Sequence, residues 1–117
     1  MLNMRNDLEE IIINISKKIN INNKYVCIIT YRDKIISTGF NKFKPLTNNI
    51  KESIYENNKH TVHAEKDAIR KIKNKNILKY CKVYIIKVKN NELEQGIPCP
   101  MCNNLLKKYN ITKICEI

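Results

Sequence analysis

Apolar residues recur at three- and four-residue steps through Met4, Leu8, Ile11, Ile12, Ile15 and Ile19. That spacing draws one apolar stripe and predicts a helix from about Met4 to Ile19. Asp7, Glu9 and Glu10 come early and Lys17 and Lys18 late, as the helix dipole prefers, and Asn20, Asn22 and Asn23 end it. The period then changes. Tyr25 to Tyr31 is a continuous apolar run of β-branched and aromatic residues, which predicts a buried strand with Cys27 as a small core residue. Arg32-Asp33-Lys34 makes a tight turn, and Ile35 to Asn41 returns as the second arm of an antiparallel hairpin.

Lys42 to Thr61 carries no clear period and is rich in asparagine, with Pro45 and at most a helical turn near Ile50 to Tyr55. Loops this long are uncommon without a function, so this one is expected to wall a pocket. A second helix runs from His63 to about Lys75, with Ala64, Ala68 and Ile72 inward and Lys66, Arg70 and Lys73 outward. Cys81 to Val88 reads as a central strand and Asn90 to Ile97 as a loop. Cys99 to about Tyr109 is a third helix with Leu105, Leu106 and Tyr109 inward, and Ile111 to Ile117 is a fourth strand. Strands alternating with helices predict an α/β fold. The expectation is a three-layer α/β/α sandwich, about four mixed strands with an antiparallel β1-β2 hairpin, helices on both faces, and residues 1–117 as one domain.

Composition changes this picture little. The formal net charge of +11 invites a nucleic-acid partner, but lysine, asparagine and isoleucine make up about half of the chain and are spread through every segment. Only three arginines appear, and arginine is what specific phosphate or base readout prefers. The bias is that of an AT-rich genome, and a diffuse lysine coat reads first as a solvated surface. Nucleic acid is therefore not the favoured partner. Five cysteines, an odd number, fit a reducing compartment better than a disulfide scaffold. No stretch reaches the roughly 18 apolar residues of a membrane span, and no signal peptide is recognisable, so a cytoplasmic location without membrane contact is expected.

The chemistry lies in His63-Ala64-Glu65 and Pro98-Cys99-Pro100-Met101-Cys102. Two cysteines at i and i+3 put both sulfurs on one side of a helical turn, and a histidine adds a third zinc ligand from elsewhere. A tetrahedral ion with three protein ligands keeps one position for water, whose pKa falls to about 7. Glu65 is then placed to carry protons. On the flank of a helix, residues two apart diverge; in its first turn they can reach around the axis. His63 is thus expected to open its helix, with the zinc at that end. Proline before Cys99 fits a helix start as well, where a thiolate is stabilised.

His-x-Glu followed by Pro-Cys-x-x-Cys resembles the signature of the cytidine and deoxycytidylate deaminase superfamily. The resemblance implies a cytidine-deaminase-like fold, Zn²⁺ held by His63, Cys99 and Cys102, and Glu65 as the catalytic proton carrier. It implies hydrolytic deamination of a cytosine nucleoside or nucleotide, with histidine as first ligand closer to the deoxycytidylate branch. Gly39-Phe40-Asn41 resembles the family's Gly-x-Asn, which would set the Asn41 amide against sugar or base. The Ala64 backbone N–H, in the first helical turn, would donate to the base carbonyl.

Three further readings stay open. The Pro-Cys-Pro-Met-Cys sequence also resembles guanine deaminases, and a base within a nucleic acid is a related substrate. The family normally continues beyond a fourth strand, where this sequence stops. That implies an exposed strand edge covered by a partner chain in a homo-oligomer. It also leaves open an inactive zinc-binding relative, acting as a binding module, with a protein-derived fourth ligand such as Cys81 or Cys115. His60, three residues before His63, is a substrate contact, a further metal ligand or an exposed loop residue.

Overall fold

The computed structural model describes residues 4–19, 23–43, 61–97 and 100–115. Helix α1 spans Met4–Ser16. Strands β1 (Lys24–Tyr31) and β2 (Lys34–Phe40) form the expected antiparallel hairpin, with Tyr31 paired to Lys34. Short strands β3 (Lys42–Phe43) and β4 (Thr61–Val62) pair antiparallel on their own. Helix α2 is Ala64–Arg70, a 3₁₀ helix covers Lys75–Tyr80, and β5 is Lys82–Lys89. Strand β6 (Glu92–Gln95), helix α3 (Pro100–Lys108) and β7 (Lys113–Cys115) follow. The loop expected to wall a pocket, with its helical turn and His60, lies outside the described residues.

The main sheet has five strands. Its order is β2-β1-β5-β6, with β7 also pairing with β5. β1 is antiparallel to both β2 and β5, while β7 is parallel to β5. β6 and β7 share one edge of β5: β6 pairs with residues 86–89 and β7 with residues 82–84. Leu8, Ile12 and Ile19 pack with Val26, Ile28, Ile86 and Val88 on one side of the sheet. Ala64, Ala68, Ile69 and Leu106 pack with Cys27, Ile29, Val83 and Ile85 on the other. Alternate residues of β1 and β5 thus feed opposite cores, and the molecule is the expected three-layer α/β/α sandwich.

Two expectations shift. The Asn90 to Ile97 segment is not a loop: Asn90 and Asn91, at φ 52° and 62°, turn β5 back into β6. Asparagine tolerates the left-handed region, so an Asn-Asn pair suits a two-residue hairpin turn. The second helix is shorter than its pattern suggested. It closes at Lys71, and Asn74 then caps the 3₁₀ helix by accepting from the Asn76 N–H at 3.0 Å. α3 ends where expected, and for a visible reason. Asn110 takes φ 58°, its N–H bonds to Lys107 O at 3.0 Å, and Ile111 N–H bonds to Leu106 O at 2.9 Å. That is a Schellman closure with asparagine at the left-handed position.

Candidate metal centre

The site forms where α2 starts. His63 is the N-cap residue, extended at φ −72° and ψ 153°, and its ring makes no capping hydrogen bond. It is thus turned to another use: its Nδ1 lies 3.2 Å from the Cys102 sulfur. Cys102 is the third residue of α3, so its thiol stands in the first turn, where the helix dipole favours a thiolate. Glu65 completes the group. The donor atoms of His63, Glu65 and Cys102 all lie within 4.8 Å of one another. His63 is half-buried, and Glu65 and Cys102 are buried at 5% and 3% exposure.

Packing explains why α2 starts at this spot. A Cβ on Gly39 would stand 2.4 Å from both the Ala64 carbonyl oxygen and the Ala68 nitrogen. Only a bare Cα lets the helix backbone lie this close to β2. Ser37 Oγ donates to the Ala68 carbonyl at 2.7 Å. Asp67, fully buried, accepts from the Phe40 N–H at 3.3 Å and pairs with Arg70 at 3.1 Å and Lys71 at 3.2 Å. Asp67 N–H also bonds back to the His63 carbonyl at 3.0 Å. Sequence reasoning passed over Asp67 and Ser37. The signal for Asp67 was a carboxylate four residues after His63, beside the inward Ala64 and Ala68.

Asn41 is 9% exposed, and its amide is engaged by the backbone. Its Oδ1 accepts from Tyr25 N–H at 2.8 Å, and its Nδ2 donates to Asn23 O at 2.5 Å. These bonds tie the end of β2 to the start of β1. β3 pairs Lys42 with Val62, and the same register carried one residue further sets Asn41 across from His63. Ala64 is buried at the first helical position. Beneath the group lies Cys27. Burial first, and then the Glu65 and Asp67 carboxylates, push its thiol well above the ordinary 9.0. Cys99 lies outside the described residues.

The donor set fits zinc. Zn–N near 2.05 Å and Zn–S near 2.3 Å at a tetrahedral angle put nitrogen and sulfur about 3.6 Å apart, and 3.2 Å is close to that separation. Among the described residues the group comprises His63, Glu65 and Cys102. Cys81 is engaged elsewhere, its thiol on the Ile77 carbonyl at 3.3 Å. Cys115 sits on β7, its sulfur 4.0 Å from the Lys113 carbonyl.

The profile of the cytidine and deoxycytidylate deaminase zinc-binding region matches residues 6–116, and the chain belongs to that family. Among solved structures, a dCMP deaminase from the cyanophage S-TIM5, in apo form, superposes with a TM-score of 0.58 at 16% identity. That match covers 94% of this chain and 82% of the phage protein. At such identity it shows a shared fold. No curated protein matches the chain. Among the described residues no helix is long and apolar enough to cross a membrane.

Proposed function

We propose that the protein is a zinc-dependent hydrolase that deaminates a cytosine nucleoside or nucleotide. The observation that carries this reading is the convergence of His63, Glu65 and Cys102 at the start of α2. His63, Cys102 and Cys99 would hold the ion. Zinc, when bound, acidifies water toward neutral pH and so supplies a nucleophile. Glu65 takes one proton from the attacking water and passes it to the ring nitrogen. The second water proton goes to the exocyclic nitrogen, so the amine leaves as ammonia and a carbonyl replaces it. Burial of Glu65 keeps bulk water from competing for those protons. Asn41 uses one donor and one acceptor on the backbone, and a primary amide has a further donor and acceptor for sugar or base. The Ala64 N–H, in the first turn of α2, has no partner within its own helix and would meet the base carbonyl.

The test uses one variant and one panel. Glu65→Gln keeps the shape and removes the proton carrier, so zinc content stays near one equivalent. Turnover falls by about 10²–10⁴-fold, the usual worth of general acid–base catalysis. The panel is ammonia release from dCMP, cytidine and guanine. A variant rate near wild type overturns the role of Glu65; release from guanine alone overturns the pyrimidine reading. The reading includes a homo-oligomer, supported by the half-exposed Ile35 and Ile36 on edge strand β2 and Ile114 on β7. Sedimentation of a monomer at micromolar concentration would remove that part.

A further inference from the structure

A cleft opens at the end of the sheet away from the metal group, with a volume of about 470 Å³. It is lined by Thr30, Tyr31, Arg32, Asp33, Tyr80, Lys82 and Lys113. Thr30 pairs with Lys82 and Lys82 with Lys113, so three neighbouring strands present these residues in one row. The metal group is remote from it. Asn41 N–H bonds to Tyr25 O, and Tyr25 pairs with Lys87, which puts the level of His63 five residues along β5 from Lys82. At strand rise that is about 16 Å.

The lining combines cations with aromatic faces. Tyr80 is 59% exposed, although it is large and apolar in body. Lys79 Nζ lies 5.2 Å from the Tyr80 ring centre, and the Arg32 guanidinium carbon 5.2 Å from that of Tyr31. Arg32, Lys82 and Lys113 outnumber Asp33, which holds Lys82 at 3.8 Å. The residues of the turn are less usual than its shape. Arg32 and Asp33 take φ 52° and 63°, the same left-handed pair that the β5–β6 turn fills with asparagines. Arginine is an uncommon residue for that backbone. One exposed ring, Tyr80, with the half-buried Tyr31 also in the lining, stands near a row of spaced cations, and those are the elements of a platform for unpaired bases on a phosphate backbone. The cations follow the width of the sheet rather than converging on one point, as a single phosphate group would require.

We propose that this cleft binds single-stranded nucleic acid, with Tyr80 as the stacking face and Arg32, Lys82 and Lys113 on the phosphates. The site is independent of the zinc reading, because it holds a strand and does no chemistry. Fluorescence anisotropy of the full chain with labelled 12-nucleotide DNA and RNA strands, at 50 and 200 mM salt, tests it. Binding weakens as salt rises, with a log–log slope of about −2, the value for three phosphate contacts on a single strand at about −0.7 each. Tyr80→Ala weakens binding at least fivefold, whereas Tyr80→Phe keeps it. Lys82→Ala with Lys113→Ala reduces the slope by about 1.4. Lys17→Ala with Lys18→Ala, exposed after α1, leaves both values unchanged. The proposal falls if no strand binds at 50 mM salt. It falls equally if the two lysine pairs behave alike, as a diffuse basic coat would, or if a free mononucleotide displaces the strand at equal concentration.

Discussion

Cys27 is a thiol held deep in the core. It is fully buried, and burial followed by the Glu65 and Asp67 carboxylates lifts its thiol well above 9.0. A folded-state pKa above the unfolded one stabilises the fold while both states are protonated. That contribution is complete below pH 9 and is lost as pH rises through 9 toward the folded value. Melting temperature should therefore fall between pH 8.5 and 10.5, and fall less steeply in Cys27→Ala. Parallel curves for the two proteins would show that Cys27 does not contribute. Asp67 is the opposite case, a buried charge with several partners. Asp67→Asn weakens its pairs with Arg70 and Lys71 and alters its bond to Phe40 N–H. A loss of about 1–3 kcal/mol is expected, measured by urea denaturation. Zinc affinity should drop with it, because the same residue holds the first turn of α2 against β2. A stable variant with unchanged affinity would reduce Asp67 to a surface-pair role.

At the scale of elements, the seat of α2 on β2 decides where the site forms. Gly39→Ala would drive a methyl into two helix backbone atoms, and neither can rotate away. Forced shifts of this kind cost about 1–3 kcal/mol. The helix must lift at the end that carries His63 and Glu65, so zinc binding should suffer more than the melting temperature alone implies. Titration of zinc into the apo variant measures it; wild-type affinity would mean the helix pivots elsewhere. The sequence made much of this legible. Ala64 and Ala68 announced a close helix, and His-x-Glu announced a site at a helix start rather than on its flank. What escaped was contact across chain distance. Nothing local in Ser37-Thr38-Gly39 says that the glycine meets Ala64 and Ala68, or that Ser37 reaches the Ala68 carbonyl. The strand β6 was missed for a different reason. Glu92-Leu93-Glu94-Gln95 has little apolar content, and only the Asn90-Asn91 turn signalled a hairpin. α2 read too long because Ile72 continues its apolar stripe after the helix has closed at Lys71.

The whole molecule is arranged so that two distant parts of the chain meet at one point. His63 and Cys102 stand 39 residues apart, on helices that share one side of the sheet. An ion held by both segments closes that loop, and such binding adds directly to folding stability because the unfolded chain has no preformed site. With free zinc at about 1,000 times its dissociation constant, the native state gains about 4 kcal/mol. For a chain of this size that corresponds to a rise of roughly 10 °C or more in melting temperature. Stripping the protein with a chelator should remove that increment, and added zinc should restore it. Cys102→Ser should melt near the chelated wild type and respond weakly to chelator. The increment should also shrink on acidification, since protons compete with the metal for the imidazole and thiol ligands. A chelator that leaves the wild-type transition in place would mean that α2 and α3 are held by packing alone. The His63–Cys102 contact would then be a hydrogen bond rather than half of a metal centre.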